Sequence, residues 1–218
     1  MKKLYALFMI LPLGICSGIY PFLPSQIPAH YNALNQVDRY GSKNEIFILP
    51  VIVILFGMFM LAMSKIAKKQ ERSKEKSNDE RICLYVGLLS LILFNVICCF
   101  FLYCNFNQIE NLNSLKIDLM QISFGFIGLM FILIGNQMTK LRRNTIVGLR
   151  TPWSMKNDDV WKKCQRFAGI GMIVVGILLI ISSFCLKGTV NLCMSMGLIL
   201  IDAFVDIIYS YRVSRREA

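Results

Sequence analysis

The sequence predicts an all-α, polytopic membrane protein with about six transmembrane helices, and three observations predict it. Of its 218 residues, 56% are hydrophobic and only 17% charged, against roughly half and a quarter in soluble domains. Charges are missing from six long stretches, each matching the roughly 20 apolar residues that cross a bilayer as a helix. Finally, the basic residues gather on alternate connections between those stretches.

The stretches justify six helices one by one. Residues 4–29 contain no Lys, Arg, Asp, Glu or His. Lys2 and Lys3 ahead of them raise the reading of a cleaved signal peptide. The apolar run is long for that, it lacks a clean small-x-small site, and Cys16 follows Ile15, so an uncleaved span is expected. Residues 46–64, 82–109, 119–139 and 167–186 are equally free of charge, and 188–211 is interrupted only by Asp202 and Asp206. All are solidly apolar, without the in/out alternation of a transmembrane barrel.

With the amino terminus in the cytoplasm, 20 of the 24 Lys and Arg residues lie inside: Lys2, Lys3, seven in 65–81, eight in 140–166 and three after Tyr211. Only Arg39, Lys43, Lys116 and Lys187 lie outside. This positive-inside bias predicts a multi-pass cytoplasmic-membrane protein with both termini cytoplasmic. It also explains the net charge of +11 as topology, so no direct nucleic-acid binding is expected. The expected organisation is an amino-terminal two-helix unit with an outer loop (1–64), a charged cytoplasmic linker (65–81), and a four-helix unit carrying an inner loop (82–218).

Two loops are large enough to carry function. The outer one, 24–45, is dense in Pro, Asn and Gly, which predicts a compact turn-rich segment rather than a helix. Asn35 suits a left-handed turn position. In the inner loop, 140–166, Asn157 is the expected N-cap of a short interfacial helix, with Asp158 and Asp159 favouring its first turn. Val160, Trp161, Cys164 and Phe167 fall on one face, and Lys162, Lys163 and Arg166 would reach lipid headgroups. Trp153 and Trp161, the only tryptophans, read as interface anchors. Pro152 keeps Thr151 out of helix, so Arg150 and Trp153 are held by a defined turn.

Candidate chemistry is sparse. The eight cysteines form no C-x-x-C pair and the chain has one histidine, so no metal site or cofactor is expected and packing is the role assigned to the thiols. His30 has Asp38 eight residues on but no G-x-S-x-G partner motif, and a loop-stabilising hydrogen bond is its expected role. Asp202 and Asp206 are costly inside a span, which marks them for function or for pairing with Arg142, Arg143 or Arg150. Two aspartates on one helix do not make an intramembrane aspartyl protease. With no nucleophile–base pair, no catalytic residue is assigned and the chain is not expected to be an enzyme.

The outer stretch IPAHYNALNQVDRYGSK resembles the motif I-P-x-H-[FY]-N…G-x-x-D-x-x-G-S-K of a small membrane domain of unknown function found in many bacterial membrane proteins. The inner stretch NTIVGLRTPWSMKNDDVWKKCQRFAG resembles the SdpI-type family signature, N-x-x-I-G-[IL]-R-T-P-W-[ST] followed by V-W-x-x-x-x-R-x-x-G. The resemblance implies a membrane immunity protein against a secreted antimicrobial peptide toxin, with the bilayer and the toxin as partners. In some relatives it also implies a cytoplasmic transcriptional repressor held at the membrane. By position it assigns His30, Asn32, Asp38, Gly41, Ser42 and Lys43 outside, and Asn144, Gly148, Arg150, Thr151, Pro152, Trp153, Trp161 and Arg166 inside. Two departures stand out: Asn35 replaces the usual Gly before the Asp, and Cys164-Gln165 replaces a Thr-His pair. The competing reading is a small proton-coupled transporter or efflux protein using Asp202.

Overall fold

The computed structural model describes residues 2–32, 34–71, 79–144 and 146–216. Six helices follow one another: α1 (Lys2–Ile19), α2 (Ile48–Glu71), α3 (Asp79–Phe106), α4 (Leu119–Met138), α5 (Asp158–Cys185) and α6 (Gly188–Arg216). All six are long and apolar enough to cross a membrane, and the protein is a multi-pass, all-α membrane protein. The core of the expected 65–81 linker, residues 72–78, lies outside the described residues. On either side of it, Glu80 receives Lys2 and Lys68 at 3.8 and 3.4 Å, joining the ends of α1, α2 and α3.

The helices pack in two groups that share α3. Tyr5, Val53, Leu84, Leu88 and Leu91 fill the space between α1, α2 and α3, where Asn95 Nδ2 donates to the Phe8 carbonyl at 2.7 Å. Between α4 and α5 the contact is made by backbone. A Cβ on Gly128 would lie 2.6 Å from the Gly176 carbonyl oxygen, and one on Gly135 would lie 2.6 Å from that of Gly169, with both relations reciprocal. Lipid tails are as apolar as leucine, so helices in a bilayer gain by close van der Waals approach, which small residues alone allow. Seven-residue spacing on both helices sets those glycines along one seam.

At the end of the bundle expected to face outward, the 24–45 loop is more ordered than its turn-rich composition predicts. It forms an antiparallel hairpin of β1 (Gln26–Tyr31) and β2 (Val37–Ser42), irregular between Pro28 and Tyr31. Pro28 and Gly41 obscure the two-residue apolar rhythm that would have revealed the strands. Asn35 takes φ 62°, the left-handed turn expected of it. Strand β2 and the turn extend onto the α3–α4 connection: the amides of Val37 and Leu112 donate to the carbonyls of Glu110 and Asn35, at 2.9 and 2.8 Å. Asp118 caps α4 with a reciprocal Gln121 box, and its other carboxylate oxygen accepts from the Gly188 amide at the start of α6. The three outer connections thus form one cap.

Candidate functional site

The six outer residues singled out by sequence all lie in the hairpin or directly after it, and most hold its shape. Asn32 Oδ1 accepts from the amides of Leu34 and Gln36, closing the turn. His30 Nδ1 and Asp38 Oδ1 lie 2.6 Å apart across the strands, both side chains partly exposed. Arg39 donates to both carboxylate oxygens of Glu45 at 3.2 and 3.0 Å, and Gly41 leaves room for that carboxylate. Ser42 Oγ accepts from Asn44, starting the short 3-10 turn Lys43–Phe47, while Lys43 Nζ sits 4.4 Å from the centre of the Tyr20 ring.

Sequence reasoning passed over the partners from the α3–α4 connection. Tyr31 Oη donates to the Ile109 carbonyl at 2.8 Å, and burial pushes its phenol above the ordinary tyrosine value. Tyr40 Oη donates to Glu110 Oε1 at 2.9 Å, which raises that phenol too. Asn113 accepts from Asn35 Nδ2 and donates to the Leu34 carbonyl. The only sequence signal for these was the Asn-rich character of residues 105–113.

At the opposite end the inner motif is a folded loop clamped onto α5 and α6. Asn144 Oδ1 accepts from the amides of Ile146 and Val147. Gly148 has φ +102°, a conformation natural to glycine, and a Cβ there would press on Gln165. Gln165, only 1% exposed, bonds the Leu149 backbone in both directions: its Oε1 accepts from the amide at 2.9 Å and its Nε2 donates to the carbonyl at 2.8 Å. This is the position where the resemblance gives histidine. Beyond it, Thr151 and Ser154 exchange amide-to-hydroxyl bonds at 2.9 Å around the turn started by Pro152.

Three contacts tie this turn to α6. Thr151 Oγ1 donates to Ser210 Oγ at 2.9 Å. The Trp153 ring meets that of Tyr211 edge-on at 5.3 Å, and Lys156 Nζ donates to the Ser214 carbonyl. Arg143 bonds the Met155 carbonyl and pairs with Asp158 at 2.9 Å. What the loop leaves outside is basic: Arg150 and Arg166 are both exposed, with no partner among the described residues. Ser154 and Ser210 belong to this site although sequence reasoning did not single them out, and Gln165, noted there only as a departure from the resemblance, clamps Leu149.

Two expectations need correction. The helix capped by Asn157, whose side chain accepts from Val160 at 2.8 Å, is no separate interfacial helix; it is the first turns of α5, unbroken to Cys185. Its apolar face turns into protein, so Val160, Trp161 and Cys164 are buried. Trp161 is therefore no interface anchor. Its Nε1 donates to the Leu141 carbonyl at 2.9 Å, pinning the start of the loop from within. Trp153 is the tryptophan left at the surface.

The two acids of α6 differ from the sequence picture in rank. Asp202 is half-buried, lying against Gly171 of α5 where a Cβ would strike its carboxylate. Asp206 is the deeper group, at 6% exposure. Neither is in an ion pair among the described residues, and Arg143 is engaged elsewhere. Among those residues no cluster of His, Cys, Asp and Glu is arranged to hold a metal ion.

Comparisons with known proteins match two segments of the chain and, more weakly, its whole length. Residues 140–210 match the SdpI/YfhL protein family, and residues 7–54 match a domain of unknown function, DUF1648. The chain is similar to the immunity protein SdpI of Bacillus subtilis (strain 168), with 27% identity covering 99% of this chain and 98% of that protein. No solved structure matches. The inner loop and its contacts with Gln165 and Ser210 lie inside the first match and the outer hairpin inside the second, so the chain is similar to the SdpI/YfhL protein family over residues 140–210 and to DUF1648 over residues 7–54.

Proposed function

We propose that the chain is an immunity protein protecting its cell from a secreted peptide toxin, with the outer cap meeting the toxin. The observation that carries this reading is the end-to-end similarity to a protein named for immunity. The outer cap supports it further. A hairpin is built onto two other connections, and it offers exposed His30, Asp38, Arg39 and Tyr40 on a backbone held by Asn32 and Asn35. A rigid, mixed-charge surface of this kind suits recognition of a peptide, because little ordering entropy is spent on binding.

The same reading gives the inner loop a cytoplasmic contact. The positive-inside bias of the sequence supports a cytoplasmic inner loop and cytoplasmic termini. Arg150, Arg166 and Trp153 are each exposed and are the groups proposed to contact a cytoplasmic partner, such as a repressor protein held at the membrane. Expression in a toxin-sensitive bacterium, with survival measured across peptide toxins, tests the proposal. Protection is expected, with partial loss when Asn35→Ala loosens the cap at unchanged membrane abundance. No protection against any toxin by an abundant protein would refute it.

A further inference from the structure

Behind the inner loop lies a cavity of about 300 Å³ that the immunity reading does not use. Its wall is apolar: Ile82 of α3, Ile134 and Met138 of α4, Met172 of α5, and Val147 and Leu149 of the loop that roofs it. Two polar side chains break this lining, Gln137 and Asp206. Asp206 is only 6% exposed, and its Oδ1 has no hydrogen-bond partner among the described residues. Among the described residues no basic side chain lines the cavity. The nearest charge along α6 is Asp202, one turn earlier and of the same sign.

We propose that this cavity binds a small organic cation, a protonated amine carried on an apolar body, with its ammonium on Asp206 and its body against Met138, Val147 and Met172. An ionised carboxylate buried without a partner is expensive, and what relieves it is a positive charge that also donates a hydrogen bond. Gln137 offers a second polar contact for the head group. The cavity volume falls at the lower end of the range typical of small-molecule sites, which combine an apolar lining with a few placed polar groups. A bare metal ion would find one carboxylate, one amide oxygen from Gln137 and an otherwise apolar wall, far short of the six or more oxygens that hard cations take. An occupant would lie between α6 and the Gly148–Leu149 segment that Gln165 clamps.

The test uses the full chain in phosphatidylcholine nanodiscs, titrated with phenethylammonium and, separately, with 2-phenylethanol, and read by saturation-transfer NMR against empty nanodiscs. Saturable binding of the ammonium is expected, at least about tenfold tighter than the alcohol. Asp206→Asn should weaken the ammonium at least about tenfold, and Met172→Phe, which fills the far wall with Asp206 intact, should abolish it. Should the Asn protein not fold, the ammonium–alcohol comparison and Met172→Phe decide between them. Absence of saturable binding, equal affinity for the alcohol, or undiminished ammonium binding by a folded Met172→Phe protein would each overturn the proposal. Full displacement by sodium at physiological concentration would overturn it too, by assigning the site to an inorganic cation.

Discussion

Replacing Gln165 with leucine removes an amide of similar size from a buried position and tests whether the inner loop is held by this one side chain. The Leu149 carbonyl would keep the Ser154 hydroxyl, which donates to it at 2.8 Å. The Leu149 amide, whose acceptor is Gln165 Oε1, would be left without a partner. An orphaned buried donor costs about 1–3 kcal/mol, which multiplies the population of an opened loop by about 5 to 150. Hydrogen exchange read at the Leu149 amide should accelerate by that factor, while amides in the middle of α5 keep their wild-type rates. Gln165→His, restoring the residue implied by resemblance, should retain most of the protection because one ring nitrogen can still accept from that amide. Under the functional proposal, cell protection should follow the same order, wild type and His above Leu. A Leu149 amide exchanging at the wild-type rate in a folded Gln165→Leu protein would refute the clamp.

Three further outcomes follow from the geometry. Gly135→Val puts branched carbon where a single Cβ already lies 2.6 Å from the Gly169 carbonyl; overpacking of this kind costs about 1–3 kcal/mol or more, so thermal stability in detergent should fall, and an unchanged melting temperature would reject the glycine seam. Because burial raises the Tyr31 phenol, the unfolded chain loses that proton first on alkalinisation, so cap stability is full below about pH 10 and declines above it; Tyr31→Phe should flatten the decline in a pH series of hydrogen exchange at the Val37 amide. Arg150→Lys should reduce cell protection more than Lys162→Arg at matched abundance, since the planar five-donor fork is lost only in the first; equal protection would reduce Arg150 to generic charge.

Much of the architecture was legible along the chain because a bilayer imposes a one-dimensional code. Hydrocarbon thickness sets the length of each span, and the cost of burying charge clears each span of Lys, Arg and Glu. Six helices could therefore be read from charge-free runs, but not all their ends: α1 stops at Ile19 inside the run 4–29, and α5 begins at Asp158, ahead of the run 167–186. Local capping was legible for the same kind of reason: Asn157 before Asp158-Asp159 and the left-handed Asn35 depend on neighbours in sequence. The motif residues were found by their pattern, yet their roles were not, since Asn32 and Asn144 act within their own turns whereas Thr151 needs Ser210, 59 residues away.

Tertiary structure alone decided which side chains face protein and which face lipid. In a span that is apolar all round, periodicity carries no burial signal; even where a face was recognised, Trp161 read as an anchor because Lys162 and Lys163 follow it, and it proved to be packing because that face turns into protein. The same ambiguity concealed the depth of Asp206, because the loop that roofs it lies some 55–60 residues earlier in the chain. Nor could composition reveal the outer hairpin's seat on residues 109–113, or the use of Gln165 in place of histidine, since both depend on backbone groups that every residue possesses. What sequence by itself determined was the number of spans, their approximate positions and the two large loops; the physical reason is that insertion energetics act locally. The joining of three outer connections into a cap, the clamp on the inner loop and the acid-floored cavity depend on contacts between distant segments, which only the folded chain brings together.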